Sequence, residues 1–107
     1  MSRTNADAWP GDYQAAVSLS FDDGTETQLN TAIPLMDERD MQGTFYLPPR
    51  GDDWREKLAQ WIPAHERGHE IGNHSIGHTC SINFQDAENP RGLETITLED
   101  MEADVVE

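Results

Sequence analysis

Two short clusters in this chain of 107 residues carry side chains suited to chemistry. Asp22 and Asp23 stand side by side in Phe21-Asp22-Asp23-Gly24, and His74 and His78 bracket Ser75-Ile76-Gly77. Adjacent carboxylates repel one another unless a cation or a proton intervenes. A His-x-x-x-His pair sets two imidazoles one helical turn apart, close enough to share one metal ion. No glutamate follows the first histidine, so the zinc-protease pattern is excluded. Each cluster alone has a plain alternative: an exposed Asp-Asp-Gly turn, or two surface histidines on a turn. Together they are more specific. One aspartate with two histidines supplies three protein ligands and leaves a position open for water, which is the layout of a catalytic rather than a structural metal site. The remaining carboxylate is then free to act on that water.

The elements around these clusters must bring them together. Across Ala15–Phe21, Val17, Leu19 and Phe21 alternate with Ser18 and Ser20, which predicts a strand ended by Asp22-Asp23-Gly24. Leu29, Ile33 and Met36, flanked by Ala32 and Leu35, predict a helix over Thr27–Arg39 that Pro34 should bend or divide. Gly43–Pro48 reads as a second strand. A helix over Trp54–Arg67 follows, with Asp52 and Asp53 as capping candidates, Pro63 as an interruption and Gly68 just past its end. Its Trp54, Leu58, Trp61, Ile62 and His65 share one face. Glu70–Asn73 makes a third short strand, with His74 at its end. Residues 79–96 read as irregular, and Thr97 with Asp100 resembles a capping box for a last helix. Strand–helix alternation of this kind implies an α/β fold with about three βα units on a parallel sheet. Function in such folds gathers at the carboxyl ends of the strands, where Asp22, Asp23 and His74 fall.

Composition narrows the partners. The formal net charge is -14, from 21 acidic against 7 basic residues. Such a field repels nucleic acid and anionic membranes, so neither is an expected partner. It weighs less against anionic polysaccharides, because a bound divalent ion reverses the local sign. Lys57 is the sole lysine, and Cys80 is the sole cysteine, so no intrachain disulfide can form. No signal-peptide h-region and no apolar stretch of about 18 residues is present, so the expected location is cytoplasmic.

The paired motifs resemble those of the polysaccharide deacetylases of the NodB-homology type, carbohydrate esterase family four. SFDDG at 20–24 and HSIGH at 74–78 match two motifs of that family in order, and GTFYL at 43–47 and GHEIGNH at 68–74 match their surroundings. The resemblance covers roughly residues 15–80. It implies the N-terminal part of a distorted (β/α) barrel, with residues 1–14 a lead-in segment and 15–107 a partial domain. It implies Asp22 as the general base, with Asp23, His74 and His78 as ligands of a divalent metal, most often zinc and sometimes cobalt. Ser75 falls where the family has a serine or threonine that braces the histidine loop. The implied reaction is removal of N-acetyl groups from an N-acetylated oligo- or polysaccharide, as water attacks the metal-polarised carbonyl and Asp22 takes its proton. Two alternatives stand beside it: a catalytically incomplete metal-binding module, and a hydrolase of other non-peptide amides.

Three residues have blander readings. His69 is expected to pack or face solvent, Cys80 to be a small buried thiol, and the Trp54 and Trp61 pair to belong to the core. Later family motifs supply an arginine that orients the base, a site tryptophan and a histidine acid. None has a counterpart in this sequence, and Arg91 is too early to be that arginine. The expectation is therefore weak activity from these 107 residues alone, with self-association through an open sheet edge.

Overall fold

The computed structural model describes residues 9–84 and 91–106. Residues 1–8 of the lead-in segment, 85–90 of the irregular stretch and Glu107 lie outside them. Three strands, β1 (Ser20–Asp22), β2 (Thr44–Leu47) and β3 (Glu70–Asn73), form one sheet in the order β1-β2-β3, and both pairings are parallel. Helices alternate with them: α1 (Ile33–Glu38) follows β1, and α2 (Trp54–Ala59) and α3 (Ile62–Glu66) follow β2. A 3-10 turn (Ile82–Phe84) and α4 (Leu98–Val106) come after β3. The α/β class with its open, three-stranded parallel sheet agrees with the NodB-type expectation.

Register sorts the side chains. Phe21, Phe45 and Ile71 lie side by side, as do Asp22, Tyr46 and Gly72. The first row and Leu47 face the helices. Ile33 and Met36 of α1, Trp61 and Ala64 beside them, and Phe45 and Leu47 of β2 make the buried core. Phe21 stacks on Phe45 at 4.9 Å, and Trp61 tilts against Phe45 at 5.2 Å. The opposite face carries exposed Ser20, Asp22, Tyr46 and Glu70. One apolar face is therefore covered and the polar face is left open, as alternation along each strand requires.

Four expectations are corrected. The first strand is short: β1 begins at Ser20, and Val17 is 81% exposed. Its partner β2 begins only at Thr44, opposite Ser20, so residues before Leu19 meet no ladder. The Thr27–Arg39 stretch starts as a wide π-helical turn over Gln28–Ala32 and tightens to α1 only at Ile33. Pro34 sits just after this wide turn, inside a continuous helical stretch, where it donates no N–H to the ladder. The Trp54–Arg67 stretch divides into α2 and α3 near Pro63, as that interruption predicts, but the single face expected for Trp54, Leu58, Trp61, Ile62 and His65 is lost. That break shifts the helical phase, so Trp61 and Ala64 turn inward while Ile62 stays 55% exposed and His65 exposed. Finally, Asp53 occupies the N-cap position of α2 but makes no capping hydrogen bond, because its carboxylate pairs with Lys57 at 3.1 Å.

The α4 start behaves as its spacing predicts. The Thr97 N–H donates to Asp100 Oδ2 at 2.8 Å, and the Asp100 N–H donates to Thr97 Oγ1 at 3.1 Å. That reciprocal pair holds the Asp100 carboxyl below its ordinary range, with Arg91 adding to the effect.

Candidate metal centre

The strand ends position the site. The Asp23 N–H donates to Tyr46 O at 3.1 Å, and the His74 N–H donates to Leu47 O at 3.0 Å. Both residues thus hang from the carboxyl end of the central strand, one from each side. Asp23 and Gly24 then turn the chain sharply, with φ of 77° and 63°. Gly24 is required twice over: its φ is left-handed, and a Cβ there would lie 2.8 Å from Leu47 Cδ2.

The histidine segment is not the helical turn that its spacing suggests. Residues 74–78 form an irregular loop in which Ser75 (φ 68°) and His78 (φ 48°) are left-handed. With Asp23, they are three of the four positive-φ non-glycine residues among those described. Each such conformation costs of order 1 kcal/mol and persists only where neighbours enforce it. The neighbours are identifiable. Ser75 N–H donates to Asn73 Oδ1 at 2.7 Å, and His78 N–H donates to Ser75 Oγ at 3.3 Å, which is the bracing expected of Ser75. The C-terminal end of α4 closes over the loop: its Val105 carbonyl accepts from Asn73 Nδ2 at 2.7 Å, and its Asp104 carbonyl from the Ile76 N–H at 3.0 Å. These are carbonyls that a helix end leaves without intrahelical partners.

The result is a convergence of three side chains. Asp23 Oδ1 lies 3.0 Å from His74 Nε2 and 3.2 Å from His78 Nε2. The two rings meet edge to face at 4.8 Å. One donor atom from each of Asp23, His74 and His78 falls within 4.8 Å of the others. A tetrahedral ion with bonds of about 2.0–2.1 Å spaces its donors roughly 3.4 Å apart, so the carboxylate–imidazole separations match. The His74 contact does not have the angle of a hydrogen bond. His74 Nε2 is buried and has no hydrogen-bond partner among the described residues. A buried ring nitrogen that lies close to a carboxylate without bonding it fits the donor of a metal ligand. An oxygen and two imidazole nitrogens also suit zinc and similar divalent ions.

The chain matches the model of the polysaccharide deacetylase family over residues 12–106. The chain belongs to that family. Neither a curated protein nor a solved structure matches it at a significant level.

The other candidate residues of this family member lie outside the three-residue group. Asp22 is exposed at the end of β1 and stands outside the ligand group. Its carbonyl accepts from Gln28 Nε2 at 2.6 Å, and its carboxylate has no hydrogen bond or ion pair among the described residues. Cys80 is half-buried and is not in the ligand group. Trp61 is core, whereas Trp54 carries the Arg55 guanidinium over its ring at 4.2 Å. His69 is buried at the opposite end of β3, far from solvent. Sequence reasoning missed Asn73, Asp104 and Val105 as supports of the histidine loop. The capping box marked where α4 begins, but nothing in the sequence showed where it docks.

Proposed function

We propose that this chain is a divalent-metal-dependent hydrolase, with zinc the expected ion, that removes N-acetyl groups from an N-acetylated glycan. The observation that carries the reading is the meeting of Asp23, His74 and His78 at the rim where the parallel strands end. These three residues would hold the ion. When bound, it supplies Lewis acidity, polarising an amide carbonyl and lowering the pKa of water. Asp22 is the general base. Its carboxylate is adjacent to the ligand aspartate, exposed and without a competing partner among the described residues, so it is free to accept a proton from attacking water. Addition of that water to the carbonyl and cleavage of the C–N bond give acetate and a sugar amine. Keeping Asp22 on the open face of the sheet leaves room for a polymer to lie across the rim.

The test is acetate release from N-acetylglucosamine oligomers by the zinc-loaded chain. We expect a slow but measurable, zinc-dependent release of acetate. We expect it to be abolished by a chelator and lowered about a hundredfold or more by Asp22→Asn, with zinc uptake unchanged. Acetate release that survives both treatments would contradict the proposal.

A further inference from the structure

Beside the three-ligand group lies a cavity of about 390 Å³. Its lining includes the charged residues Asp23, Glu26, Arg50 and Lys57 together with apolar Leu47 and Trp61. The cations in that lining are unexpected. The chain carries -14 net charge and only 7 basic residues, and its described cations are otherwise engaged. Arg39 pairs with Glu38, Lys57 with Asp53, Arg67 with Asp37 and Arg91 with Asp100. Arg55 lies over the Trp54 ring. Arg50 alone among the described cations has neither a carboxylate nor an aromatic partner.

Its backbone is nonetheless well placed. Pro48 and Pro49 stiffen the approach from β2, the Arg50 N–H donates to Pro48 O at 3.0 Å, and the Trp54 N–H donates to Gly51 O at 3.3 Å. In the lining, the carboxylates of Asp23 and Glu26 balance Arg50 and Lys57. A divalent ion held by Asp23 would tip that balance to positive, and the acids elsewhere on the surface are screened over about 8–10 Å. An unpaired guanidinium in such a setting is suited to a planar carboxylate, which it can grip with two parallel hydrogen bonds. A neutral glycan offers it hydroxyl acceptors but no opposite charge.

We propose that Arg50, with Lys57 beside it, forms a subsite for a carboxylate on the glycan, so that the preferred substrate is an acidic polymer in which N-acetylated sugars neighbour uronic acids. The inference rests on the deacetylase reading for the cavity's purpose, but not for its chemistry. Calorimetric titration of the full chain, with and without zinc, against a hyaluronan tetrasaccharide and against chitotetraose tests it. The acidic oligomer should bind about tenfold tighter than the neutral one to the zinc-loaded chain, and the preference should be smaller without zinc. Arg50→Ala should erase that preference, Arg50→Lys should retain part of it, and Arg39→Gln, which removes the same charge elsewhere, should keep it whole. Equal binding of the two oligomers by the wild-type chain would overturn the subsite, as would a preference that survives Arg50→Ala. Loss of zinc uptake or of Asp22-dependent acetate release, with the acidic preference intact, would count against the deacetylase reading and leave the subsite standing.

Discussion

Strand β3 has a histidine at each end, and each histidine faces an aspartate, yet the two arrangements are opposites. At the start of the strand, His69 is 1% exposed and both ring nitrogens are satisfied. Nδ1 accepts from the Gly43 N–H at 3.1 Å, so Nε2 carries the proton and donates to Asp37 Oδ1 at 2.7 Å. Asp37 also takes Arg67 Nε at 2.9 Å, and these partners, His69 first, hold its carboxyl below the ordinary range. At the other end, His74 and His78 share a single oxygen of Asp23. The His74 nitrogen is buried without a hydrogen bond among the described residues. The difference teaches that a histidine–aspartate pair is structural when its atoms are all used up by protein, and chemical when they are left over. The closed end ties α1 and the loop before β2 to the sheet. The open end lies where three left-handed residues store strain.

The largest expected effect breaks the open end. The wild-type chain should bind one zinc ion, and the double variant His74→Ala, His78→Ala should lose about a thousandfold or more in affinity by competition with a chromophoric chelator. His69→Ala should leave zinc stoichiometry unchanged. It should instead destabilise the chain by about 2–4 kcal/mol in urea titration, because it opens a cavity and strands Gly43 N–H and Asp37. Zinc loss in the His69 variant without loss of stability would erase the contrast between the two ends.

A smaller effect sharpens it. Asn73→Ala removes the bonds to Ser75 and to the end of α4 together, and should weaken zinc binding about tenfold with little change in global stability. Thr97→Ala acts from further away: loss of the α4 cap should cost about 1 kcal/mol and loosen the histidine loop through Asp104 and Val105. Acid should have the smallest and most graded effect. Asp37 and Asp100 both titrate below their ordinary 3.8 in the folded chain. Each therefore contributes stability that is present above that value and is lost as the pH falls below it, toward the folded pKa. Asp100→Asn should flatten that decline for α4, as read by amide exchange, and leave the decline at the His69 end in place.

Much of this was legible in the sequence. The second and third strands, the ordering of βα units and the convergence of Asp23, His74 and His78 follow from alternation, from two short motifs and from the rule that function gathers at strand ends. Pro34 and Pro63 announced divided helices, but not the phase shift that turns Trp61 and Ala64 inward and leaves Ile62 outside. The helical reading of His74–His78 failed because the N–H groups of Ser75, Ile76 and His78 donate instead to Asn73 Oδ1, Asp104 O and Ser75 Oγ, and only Ser75 among these acceptors is marked by type in the sequence. Arg50 was equally silent, since only the pairing of every other described cation makes its isolation visible.

The central claim is that Asp23, His74 and His78 together hold a metal ion with a position left open. X-ray absorption at the zinc edge of the loaded chain tests it most directly. The account predicts two imidazoles and further oxygen ligands at about 2.0–2.1 Å, with no sulfur. A sulfur ligand at about 2.3 Å, which only Cys80 or a methionine could supply, or a shell without imidazole, would contradict it.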